Sequence, residues 1–81
     1  MPWRNPVDVA VGEKVRLMRL AVGFDQSYTA DQIGVTLAEF QECECGQRRF
    51  GAELLQKLGQ LLGVAPSHFF EGLPDDPNSI H

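Results

Sequence analysis

Apolar residues return along this chain at helical intervals. Between residues 7 and 22, Val11, Val15, Met18 and Val22 recur at spacings of four, three and four. That places them on one face of a helix, with Gly23 as its stop. A second helix is expected from about Gln26 to Ile33, started by Asp25 and closed at Gly34. A third follows at about 36–45, opened by Thr36-Leu37-Ala38-Glu39 and closed by Gly46. The Thr-x-x-Glu order reads as a capping box: the Thr36 hydroxyl accepts a free backbone N–H while Glu39 reaches back to the cap residue. From Ala52 to Leu62 the stripe Leu54, Leu55, Leu58, Leu61 and Leu62 predicts a fourth helix, ended by Gly63. Pro66, suited to a first helical position, begins a fifth. The fold class is therefore all-α: five helices around Val15, Met18, Ala30, Ile33, Val35, Phe40, Leu54, Leu58 and Leu62. Cys43 also faces inward in this scheme.

The ends differ from the middle. Residues 1–6 hold two prolines and read as an arm from which Trp3 can fold back or meet a second subunit. Residues 7–72 form the expected domain. Residues 73–81, polar and proline-rich, read as a flexible tail carrying Asp75, Asp76 and His81. Helices of eight to ten residues cannot bury a core alone, so each depends on its neighbours.

Composition narrows the function. The 81 residues make room for one small domain. No apolar run approaches the ~20 residues that span a bilayer, and the N-terminus lacks a signal pattern, so no membrane role and a cytoplasmic location are expected. His68 and His81 are the two histidines, and no nucleophile stands beside a base, so an enzyme is not expected. Cys43 and Cys45 are too few for a metal site and are two apart, on different sides of a helix; no metal, cofactor or small-molecule substrate is expected. Cys45, nearer the helix end, is the more open to oxidation. The net charge of −4, from 7 basic against 11 acidic residues, is unusual for a chain that holds nucleic acid.

Residues 26–46 nevertheless carry a specific pattern: Gln26, Ala30 four residues on, Ile33-Gly34-Val35, an apolar Phe40, then Glu44-x-Gly46. This resembles the helix-turn-helix of the phage-repressor/Cro-like family, also called XRE-type regulators. The likeness extends from about Asn5 to Leu73 through Asn5-Pro6-Val7-Asp8, Arg16 and Arg19, Gly46-x-x-Arg49 and Phe69-Phe70. Thr29 departs from it, standing where the family usually has Leu; its hydroxyl needs a partner, and Tyr28 beside it is placed to cover the gap.

The resemblance implies a transcriptional regulator that lays its third helix in the major groove of double-stranded DNA. By position, Leu37, Ala38, Glu39 and Glu42 would read bases. Gln26 matches the family's phosphate-contacting glutamine, with Thr36, Gln41, Gln47, Arg48 and Arg49 as further phosphate candidates. Arg19 is expected to pair with Glu44 and lock the first helix to the end of the third. A homodimer is implied as well, with Phe69, Phe70 and the end of helix 4 as the contact surface. The reading residues are unusual: Leu37 and Ala38 can touch only thymine methyls, and a glutamate accepts only from cytosine N4. Residues 36–50 hold three acids (Glu39, Glu42, Glu44) against two bases (Arg48, Arg49). An acidic third helix leaves open a second reading, in which the fold serves as a protein-interaction module for a basic partner.

Overall fold

Asn5 begins the order seen in the structure, a computed structural model that describes residues 5–72. Trp3, expected to fold back or meet a second subunit, and residues 73–81, expected as a tail, lie outside the described residues. The Asn5 carboxamide oxygen accepts the Val7 N–H at 2.8 Å, and Pro6 takes the first helical position, where a missing N–H costs nothing. Helix α1 therefore runs Pro6–Val22, one residue longer at its start than the periodicity indicated.

Helix α2 spans Gln26–Ile33, capped by the Asp25 carboxylate on the Tyr28 N–H at 2.7 Å. Helix α3 spans Leu37–Glu44, capped by the Thr36 hydroxyl on the Glu39 N–H at 3.1 Å. The reciprocal bond of the expected capping box is not formed among the described residues. Glu39 is exposed, where water competes on equal terms for such a bond, and its carboxylate stays free. Between α2 and α3, Gly34 takes φ +78 and the Val35 N–H returns to the Ala30 carbonyl at 3.0 Å. This closes α2 and turns the chain at once into α3.

Helix α4 covers Ala52–Leu62 and is followed by one element that differs from expectation. Among the described residues four α-helices form, not five: Pro66–Phe70 is a short 3-10 helix. Five residues opened by proline and ended at an extended Glu71 suit the tighter i→i+3 winding better than a full α-turn series.

The core gathers Val11, Val15, Ala30, Ile33, Phe40, Cys43, Phe50, Leu55, Leu58 and Phe69. Met18, Val35, Leu54, Leu61 and Leu62 pack against it from the side. Phe50, between α3 and α4, meets the edge of Phe40 with ring centroids 6.1 Å apart. Val22 was expected on the buried face but is 50 % exposed, because α1 ends there and the chain turns away into α2. Thr29 is fully buried and donates its hydroxyl to the Asp25 carbonyl at 2.8 Å, so the polar group at this position is satisfied locally. Tyr28 does not cover it; its exposed ring lies on Phe24 at 4.9 Å.

Two glycines let α1 and α3 meet. At Gly12 an added Cβ would sit 2.8 Å from the Glu44 carbonyl carbon and 2.9 Å from the Cys43 carbonyl oxygen, both backbone atoms. Gly46, at φ +85, ends the α3 segment and would place a Cβ 2.8 Å from the Cα of Val9. Substituting Gly12→Ala should therefore separate α1 from α3 despite alanine's higher helix propensity. A loss of about 1–3 kcal/mol, the usual range for overpacking, is expected as a lower urea midpoint. An unchanged or higher midpoint would show that the crossing is looser than described.

Candidate nucleic-acid interface

The end of α1, the start of α2 and the end of α3 converge on one buried carboxylate. Arg19, in the last turn of α1, sends Nε to Glu44 Oε2 at 2.9 Å and a terminal nitrogen to Glu44 Oε1 at 3.0 Å. Its other terminal nitrogen reaches the Phe24 carbonyl at 2.7 Å, ahead of α2. Both side chains are nearly withdrawn from water. The two-pronged geometry is what a planar guanidinium offers a carboxylate. Gln26, the first residue of α2, donates Nε2 to Glu44 Oε1 at 2.8 Å, and Gln41 of α3 donates Nε2 to Gln26 Oε1 at 3.1 Å.

This chain fixes which way each amide points. Glu44, ionised against Arg19, can only accept, so Gln26 must turn its NH2 toward it and its oxygen outward. Gln41 must then supply its own NH2. No side-chain nitrogen or oxygen buried in the described residues lacks a partner.

The sequence-derived candidates divide into three groups. Thr36, Leu37, Ala38, Glu39 and Gln41 stand together on the exposed side of α3 and its cap. Gln26 is half-buried and already bonded at both ends of its amide. Gln47, Arg48 and Arg49 are exposed on the following turn, but both arginines have partners. Arg48 Nε lies 3.0 Å from Glu42 Oε2, and Arg49 Nε lies 2.9 Å from Asp8 of α1. The Glu42 carboxylate also raises the Arg48 pKa above its ordinary value, through its hydrogen bond and then its charge. Glu42 is thus half-exposed and neutralised, while Glu39 is the α3 acid without a partner among the described residues. Neither pairing has a local signature: Arg48 and Glu42 lie six residues apart across the end of α3, and Asp8 and Arg49 are 41 residues apart.

The cysteines diverge. Cys43 is buried, and desolvation pushes its thiol above the ordinary value of 9.0. Its preference for the neutral form adds stability below that value and is lost as pH rises through the raised one. Cys45 is exposed, with Sγ 3.4 Å from the Glu42 carbonyl. No group of three or more His, Cys, Asp or Glu able to hold a metal occurs among the described residues. Nor is any helix there long and apolar enough to cross a membrane. Phe69 and Phe70, paired in the expected dimer surface, part company: Phe69 is fully buried in the domain's own core, and Phe70 is 48 % exposed.

Two short helices crossing at Ala30 and Gly34, held on a third by a buried Arg–Glu pair, define a helix-turn-helix domain of repressor type. No family model matches the chain. Over 72 residues it is 40% identical to an uncharacterized HTH-type transcriptional regulator of Sinorhizobium medicae, covering 89% of this chain and 52% of that protein. Among solved structures, the restriction-modification controller protein C.AhdI from Aeromonas hydrophila is 29% identical. Its TM-score is 0.72, with 76% of this chain and 94% of that one covered. The P22 c2 repressor, solved with a synthetic operator, shares the fold at 22% identity and TM-score 0.70, covering 76% of this chain and 94% of its own. The chain is thus similar to HTH-type transcriptional regulators and shares the fold of repressor DNA-binding domains. It spans about half the length of the curated relatives it matches.

Replacing Arg19 alone would strand the Glu44 carboxylate in the interior. Arg19→Leu should cost about 3–5 kcal/mol, read as a large fall in urea midpoint. The double variant Arg19→Leu/Glu44→Leu should regain part of that loss, because no buried charge is then left unpaired. A double variant no more stable than the single one would show that the pair matters for its hydrogen-bond geometry alone.

Proposed function

We propose that this chain is the DNA-binding part of a transcriptional regulator, docking α3 in the major groove and Gln26 near the phosphate backbone. The observation that carries the reading is the exposed run Thr36 to Gln41 on a helix tied rigidly to α1 and α2. An eight-residue helix held at both ends can offer side chains to base edges without ordering them first. The acidity of α3, which had favoured a protein-contact role, weakens as an objection once Glu42 is seen neutralised by Arg48. Leu37 and Ala38 then favour thymine methyls, and Glu39 favours cytosine over bases that present only acceptors.

Two copies acting on half-sites about one helical turn apart fit this docking mode. Phe70, half-exposed beside the start of α1 and the first half of α4, supports a homodimer contact at its own position rather than at the end of α4. If so, Phe70→Ser should shift sedimentation from dimer toward monomer while the folded signal persists; an unchanged dimer would place the contact elsewhere.

The direct test is fluorescence anisotropy against the DNA upstream of the protein's own gene and a scrambled duplex, over a salt series. Tighter binding to the upstream DNA, falling linearly in log K against log salt, is expected. Glu39→Gln should strengthen binding to the scrambled duplex and narrow the difference between the two. Absence of binding at low salt would overturn the reading.

A further inference from the structure

Helix α1 carries two stripes. Val11, Val15, Met18 and Val22 form the first, and Val9, Glu13, Arg16 and Leu20 repeat its four, three, four spacing two residues earlier. Two residues turn a helix by about 200°, so the second stripe lies on the far side from the core. Val9, Glu13, Arg16 and Leu20 are all exposed, and so is Leu17 beside them. Val9, Leu17, Leu20 and Val22 are four of the seven large apolar residues exposed among the described residues, all on this one helix. Glu13 and Arg16 form no ion pair among the described residues, either with each other or with a neighbour. The outer face of α1 thus sets two opposite charges between exposed apolar ends.

The order along this stripe is apolar, acidic, basic, apolar, and it complements itself when reversed. We propose that the outer face of α1 docks a second copy of the chain, α1 against α1 in antiparallel. Val9 then meets the partner's Leu20 and Glu13 meets the partner's Arg16, each contact made twice about the two-fold axis. A parallel pair would set Glu13 against the partner's Glu13 and Arg16 against the partner's Arg16, so the charges select the antiparallel direction. Ala10 and Ala21 border the stripe near its two ends and are small enough to let the helices approach closely. The apolar ends supply attraction, and the charges fix direction and register. One helix face on each side makes a small contact, of the transient class. Phe70 lies on the other side of α1, beside Val7, Asp8 and Val11. Both contacts can therefore form at once, and neither depends on DNA.

The test is sedimentation equilibrium of the full chain over a concentration series at low salt. All chains carry Phe70→Ser, so that the α1 contact is read apart from the other one, and thermal melts confirm that each is folded. With α1 otherwise unchanged, the mean mass should rise with concentration toward double its dilute value. Glu13→Arg and Arg16→Glu should each weaken that association on the order of tenfold, because like charges then face each other across the pair. The two substitutions move the net charge in opposite directions, so a loss common to both is not an effect of net charge. The double variant Glu13→Arg/Arg16→Glu should regain the association, since each cation again faces a carboxylate in the antiparallel register. A mean mass that does not rise would overturn the proposal, and so would a rise indifferent to both single substitutions. Loss in both single variants without recovery in the double would overturn the register and the pairing with it.

Discussion

The buried Arg19–Glu44 pair is the constraint on which the other parts of the domain depend. Glu44 is the last residue of α3, where the helix dipole is negative and a carboxylate is disfavoured. Arg19 offsets that disadvantage, and its own place in the last turn of α1 is favourable for a cation. Two charges taken out of water stabilise a fold only when their geometry is good and their remaining lone pairs and protons are satisfied. Here the guanidinium binds both carboxylate oxygens and the Phe24 carbonyl, while Gln26 takes a further position on Oε1. One ion pair thereby ties α1 to α2 and α3, two eight-residue helices that are individually too short to persist in water.

That joint is also the route from the interior to the working surface. Gln26 bonds inward to Glu44 and accepts outward from Gln41, so an amide on the exposed face of α3 takes its orientation from a charge in the core. Gly12 is the steric condition for this. Any side chain there would hold α3 away from α1, and Arg19 could no longer reach Glu44 with both nitrogens. A surface assembled in this way is ordered before its ligand arrives, which lowers the entropy lost on binding.

Local chemistry explains what the sequence made legible. Asp25 and Thr36 cap the helices they were expected to cap, since an N-cap needs only a side-chain oxygen and the next turn of backbone. The leucine stripe of α4 is strong enough to set both the helix and its buried face. The Arg19–Glu44 pairing came only through resemblance, because nothing local to either residue marks a partner 25 positions away. Arg49 with Asp8, and the burial of Phe50, lay beyond that reach. A single residue flanked by arginine and glycine has no period, so only the tertiary placement of Phe40 gives Phe50 a neighbour.

The acidic total and a DNA-facing role are reconciled by distance. At physiological salt, exposed charges are screened over about 8 Å, whereas the molecule extends 36 × 30 × 21 Å. A phosphate at the helix-turn-helix therefore responds to the few groups near it and hardly to the net charge of −4. Near it, Glu44 and Glu42 are answered by Arg19 and Arg48, which leaves Glu39 and Glu13 as carboxylates without partners among the described residues. These two occupy different positions with different consequences. In the docking proposed above, Glu39 would face the bases from the start of α3, where an acceptor discriminates between bases at a cost in affinity. Glu13 stands on α1, away from the helix that would meet the bases. Under that docking, Glu39 bears more on the ratio of specific to non-specific binding than on binding strength itself, because an acceptor at a base edge penalises mismatched bases while a pairing donor offsets it at the matched one.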